Sequence, residues 1–348
     1  MNRSELVKTL ELVRPAVSDS DLVPIFTHYV FEGGEVYGYN DAIGIIAKCD
    51  VGQTFAVQGK LLLDLLKSLS AEEVTFTQGD NDIKIKAGKS LLNLPWLPKE
   101  DFVFEVPDTP TSATIKAGED LVTGIETCLL TASTDQTAPA IMGVTFNFGK
   151  ELTLYSCDGD AITRYRVDAK PKGSGVYMAP TPFCDAVVKV WKETGPSDFT
   201  ISFNKDWAFA EFKNWNINIY GSMKEIDTPL DHAKLIKETM TGKQKPVPVP
   251  LNMVEALGRA RVIADLSSAV TEVTIDDSGC LKLLTQGTGT GECTDTLTIR
   301  GHDPVRCHVH ASLIERCYRV CDHTTFQEAY SAHSTGGKIL VICSNVND

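Results

Sequence analysis

Apolar residues recur along this chain with two periods, and the two periods take turns. Where they fall every three or four positions they predict amphipathic helices; where they fall every second position they predict half-buried strands. "TFAVQGKLLLDLLKSLS" from Thr54, "GVYMAPTPFCDAVVKVWKE" from Gly175 and "VRCHVHASLIERCYRVCD" from Val305 share one plan. Each is a short alternating strand, a small residue or proline, and a helix of about three turns. Strand-like runs follow, for example 74–77 with 83–87 and 199–203 with 208–212.

A second trio of amphipathic helices precedes these: "SELVKTLELVRPAV" from Ser4, "AGEDLVTGIETCLLTA" from Ala117 and "PLNMVEALGRARVIAD" from Pro250. Leu6, Leu10, Val13 and Val17 make one apolar stripe, and Leu121, Ile125, Cys128 and Leu129 another. Paired strands follow each helix, at 29–31 with 36–39, 143–148 with 152–156, and 272–275 with 281–285. The unit is therefore helix, strands, helix, strands, three times over. Matching helix starts at Lys60, Thr181 and Ser312 are 121 and 131 residues apart, a domain-sized period rather than that of a solenoid. The Pro/Thr-rich "VPDTPTS" (106–112) and the Pro/Lys-rich "TGKQKPVPVP" (241–250) fit as linkers. The pattern predicts an α+β chain of three similar domains, 1–112, 113–240 and 241–348, each with two helices packed on antiparallel sheet.

No apolar run approaches the roughly 18 residues of a membrane span. "MNRSELVKTLELV" lacks the apolar core of a signal peptide, so a cytoplasmic protein with no membrane contact is expected. Ten cysteines scattered through such a chain read as reduced, buried thiols. Net charge is −13, which repels nucleic acid except at a locally basic place. The charge is uneven. The six predicted helices (3–17, 59–70, 118–131, 181–194, 251–265, 312–322) hold eleven basic and twelve acidic residues, while the rest of the chain carries −12. The helices are thus the part that tolerates phosphate, although the third, with Glu119, Asp120 and Glu126, has no cation.

"LYSCDGDAITRYRVDA" (154–169) places Asp158 and Asp160 one residue apart, a spacing open to metal binding or acid–base chemistry. "VYGYNDAIGIIAKCDV" (36–51) puts Asp41 where the later stretch has Asp158, again between two strand runs. Recurrence favours a turn, in which a carboxylate bonds its own backbone and Gly159 supplies positive φ. The Cys/His-rich last third (His302, Cys307, His308, His310, Cys317, Cys321, His323) contains zinc-type ligands. However, Cys307 and His308 face opposite sides of a strand, and Cys317 and Cys321 continue an apolar helix stripe, so no metal and no cofactor are expected. Trp191, Trp207 and Trp215 read as packing rather than base-stacking residues. "QGTGTGECTD" (286–295) lacks the Lys-Ser/Thr of a phosphate-binding loop and reads as a hairpin.

With the repeat in hand, the chain resembles the bacterial-type DNA polymerase sliding clamp, the beta subunit or processivity factor, in a divergent form of the kind a phage would encode. "ASTDQTAPAIMGVTFNF" with "LTLYSCDGDAITRYRV" (132–167) resembles the family's second-domain pattern, a Ser/Thr-Asp stretch, an apolar-x-Gly-Val strand and a "TD(G/S)HRLA"-like turn. "VPIFTHYVF" and "YNDAIGI" resemble its "LPIL" and "TDLEIGI" stretches. The resemblance implies a non-enzymatic homodimer, closed head to tail into a ring that encircles double-stranded DNA and tethers DNA polymerase, the clamp loader and other clamp-binding peptides. It implies DNA-facing helices, for which Lys8, Arg14, Lys60, Lys67, Lys189, Lys192, Arg259, Arg261, Arg316 and Arg319 are the candidates. It also implies a partner-peptide pocket between domains two and three, with Ile141, Cys157, Gly159, Asp160, Ala161, Ile162, Ile226, Leu340, Ile342 and Val346 as its wall. Val262 and Ile263 match its apolar dimer-interface positions.

The chain departs from that pattern at four places. It ends "ILVICSNVND" where the family has a Met-Pro-Met-Arg-Leu-like tail, has Asp160-Ala161 where the family has His-Arg, has Glu225 where the family often has Arg, and reads "SDSDLV" at 18–23 where the family is often basic. Two rival readings stay open: a metal-dependent hydrolase using Asp158 and Asp160, and a clamp-like decoy that does not close a ring.

Overall fold

The computed structural model describes the chain except residues 21, 100–101, 103, 108–110, 136, 227–228, 243, 268–269 and 347–348 and the side chains of 265–267. Parts of both predicted linkers and of the 18–23 loop therefore lie outside the described residues.

The order of elements repeats. The first run is α1 (Arg3–Val13), β1 (His28–Glu32), β2 (Glu35–Tyr39), β3 (Ile43–Lys48), β4 (Phe55–Gln58), α2 (Gly59–Ser68), β5 (Thr75–Gln78), β6 (Asp82–Ala87) and β7 (Ser90–Leu97). The second is β8 (Ala113–Ala117), α3 (Glu119–Leu129), β9 (Val144–Phe148), β10 (Leu152–Cys157), β11 (Ala161–Val167), β12 (Lys172–Gly173), β13 (Gly175–Ala179), α4 (Thr181–Thr194), β14 (Phe199–Phe203), β15 (Trp207–Phe212) and β16 (Ile217–Ser222). α5 (His232–Thr239) follows, and the third run is β17 (Val247–Pro248), α6 (Met253–Ser267), β18 (Thr271–Ile275), β19 (Cys280–Gly287), β20 (Gly291–Thr298), β21 (Val305–Val309), α7 (Ala311–Cys317), β22 (His323–Phe326), β23 (Tyr330–Thr335) and β24 (Ile339–Ser344).

Helix ends follow local chemistry. The Asn2 side chain caps α1 by accepting from the N–H groups of Ser4 and Glu5. The helix stops short of the predicted residue 17 because Pro15 has no N–H to bond back, and residues 14–16 tighten into a 3₁₀ turn. α7 also ends earlier than predicted, at Cys317. Beyond it the chain tightens into shorter bonds, Arg319 N–H to Arg316 O and Val320 N–H to Cys317 O. α5 was not predicted. Asp231 caps it, and it buries His232 and Ile236.

Contacts gather the described residues into two compact units. The first comprises Met1–Thr123, Phe148–Lys150 and Ala169–Glu225. Its strands form one antiparallel sheet in the order β12-β8-β14-β15-β16-β3-β2-β1-β4-β7-β6-β5. The β16–β3 pairing, with Ile219 opposite Ile45, joins the strands of the second run to those of the first. Its core is aromatic and aliphatic: Phe31 packs on Phe55 at 4.9 Å, Phe199 stacks on Phe212 at 4.5 Å, and the Tyr29 hydroxyl donates to Leu10 O at 2.9 Å.

The second unit comprises Gly124–Asn147, Glu151–Asp168 and Ile226–Asp348. Strands β9-β10-β11-β24-β23-β22-β17 lie side by side, and β20-β19-β18-β21 make a separate four-stranded sheet. α6 turns Met253, Ala256, Leu257 and Ala260 inward, as its three-to-four spacing requires. No helix among the described residues is long and apolar enough to cross a membrane.

Candidate nucleic-acid interface and partner surface

In the first unit, α1, α2 and α4 bring four of the candidate cations together. Lys8, Arg14, Lys67 and Lys189 line a groove of about 280 Å³ with Glu11, Glu193, Leu12 and Leu63. Glu11 organises it: its carboxylate pairs with Lys67 at 2.7 Å, and its backbone oxygen accepts from Lys189 Nζ at 2.7 Å. Burial presses the Lys189 ammonium below its ordinary range, and the charge of Glu11 works against that shift. Arg14 pairs with Asp19 and donates to Val17 O. The Lys8 ammonium lies 5.6 Å from the ring centre of Trp215, a cation–π contact that the sequence did not reveal. Lys60 and Lys192 stand exposed outside the groove. Lys60 makes no ion pair among the described residues. Four cations stand against Glu11, Glu193 and the Asp19 that pairs with Arg14, so the groove keeps a net positive charge on an acidic protein.

In the second unit the cations are tied more tightly. Arg259 forms a two-pronged bond to Asp295, at 2.6 and 3.1 Å, which holds that carboxyl below its usual range. Arg261 and Arg319 share the buried carboxylate of Glu315, at 2.8 and 3.5 Å. Arg316 is exposed and makes no ion pair among the described residues. A phosphate approaching these helices competes with Asp295 and Glu315 at three of the four arginines. On α6, Val262 is 56% exposed, whereas Ile263 is half-buried.

Five of the candidate pocket residues share one apolar cluster. Cys157, Ile162, Leu340 and Ile342 pack together with Tyr155, Tyr330 and Ala332, and Ile141 lies against them. Strand register explains this, since Ile162 faces Cys157 on one side and Ile342 on the other. α5 supplies Ile236 and Leu235, Leu230 precedes it, and His232 stacks on Tyr155 at 5.3 Å. Burial lowers the His232 pKa. These α5 residues were missed, although "DHAKLIKET" carries a capping Asp followed by apolar positions at helical spacing. Ala161 is buried opposite Cys343, and Gly159 and Asp160 form the exposed turn beside the cluster. Ile226 and Val346 are half-buried and outside it, and Val346 N–H donates to His308 O at 2.9 Å.

The CDGD loop is a turn. Asp158 Oδ1 accepts from the N–H groups of Asp160 and Ala161, at 3.0 and 2.7 Å, and Gly159 has φ +98°. The earlier loop is built the same way, one residue off the predicted match. Asn40, not Asp41, takes the part of Asp158, accepting from Ala42 and Ile43 N–H. Asp41 sits at φ +74°, where the later loop has glycine. Asn and Asp are the side chains that tolerate this left-handed conformation.

Solved structures give the frame for these surfaces. The chain aligns over its whole length with the beta subunit of DNA polymerase III from Thermotoga maritima (TM-score 0.86, 15% identity, 98% of that chain covered). It aligns equally with the DNA polymerase sliding clamp of Bacillus subtilis (0.86, 16%, 98%) and with the sliding clamp of Bartonella birtlesii bound to griselimycin (0.87, 19%, 98%). No family model and no curated protein matches the sequence. The fold is that of the bacterial sliding clamps, carried by a divergent sequence.

Proposed function

We propose that this chain is a DNA sliding clamp, a non-enzymatic processivity factor. The observation that carries the reading is the end-to-end agreement of its fold with bacterial clamps, covering 100% of this chain and 98% of theirs. A shared fold alone does not set function. Two features of the molecule support the step: the basic groove across α1, α2 and α4, and the apolar cluster beside the CDGD turn.

On this reading the chain is three clamp domains, 1–112, 113–240 and 241–348, and two copies close head to tail around duplex DNA. Lys8, Arg14, Lys60, Lys67, Lys189 and Lys192, with Arg259, Arg261, Arg316 and Arg319, face the phosphates. They attract the duplex without reading its sequence. Because a ring is held by topology, weak phosphate contacts suffice and permit sliding. Cys157, Ile162, Leu340, Ile342 and Ile141 receive apolar anchors of a peptide from polymerase or loader. Val262, exposed on α6, contributes with Ile263 to the contact between copies.

Light scattering tests assembly. The wild type is expected at twice 38.0 kDa, and Val262→Asp with Ile263→Asp at 38.0 kDa. A wild-type monomer at micromolar concentration would contradict the ring.

A further inference from the structure

The second unit contains a cluster that the clamp reading does not use. Cys317 ends α7, while His333 and Cys343 lie on the paired strands β23 and β24. Register explains the meeting. Ser331 faces Cys343 and His333 faces Val341, so Ser331, His333 and Cys343 share one face of the sheet. The two sulfurs and a ring nitrogen of His333 all lie within 4.8 Å of one another. All three residues are at most 2% exposed, as is Ser331.

Two of the distances match edges of a coordination tetrahedron. The sulfurs are 3.9 Å apart. A tetrahedral ion with metal–sulfur bonds of about 2.3 Å separates two thiolates by about 3.8 Å. Ser331 Oγ stands 3.3 Å from His333 Nε2. An edge between nitrogen and oxygen ligands at about 2.0–2.1 Å spans about 3.4 Å. On the far side of the ring, Nδ1 lies 3.0 Å from Thr324 Oγ1, which also accepts from the Tyr318 hydroxyl at 2.9 Å. With Nδ1–H donating to Thr324 Oγ1, the ring is oriented from behind, and the Nε2 lone pair faces the Ser331 hydroxyl, where a metal would take the place of that contact. A disulfide would need the sulfurs to close from 3.9 Å to about 2.05 Å.

We infer that Cys317, Cys343 and His333 form a buried site for a thiophilic d¹⁰ cation, Zn²⁺, with the Ser331 hydroxyl at the fourth corner. Binding releases one proton from each thiol, and two thiolates against Zn²⁺ leave the buried cluster uncharged, whereas Cu⁺ would leave a net negative charge in an apolar surrounding. The set differs from the Cys/His run that the sequence displays. Of that run only Cys317 takes part, and its partners come from two later strands.

The test uses the full chain, expressed with added zinc, purified in reductant and dialysed without chelator. About one equivalent of zinc per chain is expected, with an X-ray absorption shell of two sulfurs near 2.3 Å and nitrogen or oxygen near 2.0–2.1 Å. Cobalt(II) in place of zinc should show thiolate-to-metal charge transfer and tetrahedral d–d bands. Cys317→Ala and Cys343→Ala should each lower the zinc content about tenfold, following the ligand loss, while Cys307→Ala keeps it. The absorption shell needs no variant, so misfolded alanine variants do not blunt the test. Zinc below a tenth of an equivalent in the wild type, an all-oxygen-and-nitrogen shell, or undiminished zinc in both alanine variants would overturn the site. So would a chain about two mass units lighter with Cys317 and Cys343 cross-linked.

Discussion

The two units carry the same kinds of strands and helices over cores of different chemistry. Among the described residues, the first unit buries few polar groups, Thr27, Asn204 and the Tyr29 hydroxyl among them, and its interior is Phe31, Phe55, Phe183, Phe203, Phe212 and branched aliphatics. The second buries hydroxyls and imidazoles throughout. Thr131 lies 2.8 Å from Ser156 and 2.7 Å from Thr163, Thr271 bonds Thr285 at 2.7 Å, and Thr324 sits between Tyr318 and His333. Six of the seven histidines and eight of the ten cysteines fall in it. One pattern of strands and helices is thus stabilised in two ways, by filling volume in the first unit and by satisfying buried polar groups in the second. The first kind of core responds to lost volume, and the second to a lost partner or proton.

Phe31→Ala should cost most. The ring is fully buried against Phe55 and Phe76, so denaturant unfolding is expected to lose about 3–5 kcal/mol. A loss below about 1 kcal/mol would break the volume account. Thr131→Val keeps shape and removes the hydroxyl that the Ser156 and Thr163 hydroxyls face. It should cost about 1–3 kcal/mol in the same measurement, and a neutral result would show that the hydroxyl chain adds nothing.

Acidification sharpens the contrast. His302 Nε2 accepts the N–H of Phe326 at 2.9 Å, and its Nδ1 donates to Asp303 O at 2.7 Å. Burial lowers the pKa of His302 and of His232 below 6.5. The unfolded chain therefore binds these protons first. Stability is full above about pH 6.5 and falls as pH drops through the lowered values. Thermal unfolding from pH 7.5 to 5 should show that fall, and His302→Asn should flatten it. In the first unit, His28 shifts in the same direction, again through burial. Asp158→Ala should be mildest, about 1 kcal/mol from two lost turn bonds, with assembly intact. Loss of assembly would give the loop a part beyond turning the chain.

Most of the fold was legible because periodicity reports which face is buried. Among the described residues, the predicted strand pairs and six of the seven helices fall where apolar spacing places them. α5 was hidden by its length, eight residues behind a proline-containing stretch. The site was legible less evenly. Ile162, Cys157 and Ile342 could be grouped by resemblance, but the helix that packs on them could not. The Glu11 bridge, Lys8 over Trp215 and the Cys317–His333–Cys343 cluster depend on residues distant in sequence, whose meeting is set by register and by helix packing. No local pattern encodes that.

On the proposed function, the chain surrounds DNA rather than sticking to it. Linear duplex with free ends would be incubated with the protein, the ends then blocked with bulky caps, and retention measured after a salt wash. Encirclement predicts protein retained on capped duplex through salt that strips surface-bound protein, and lost once a restriction cut opens an end. Retention that is the same with and without caps, or that survives the cut, would contradict it.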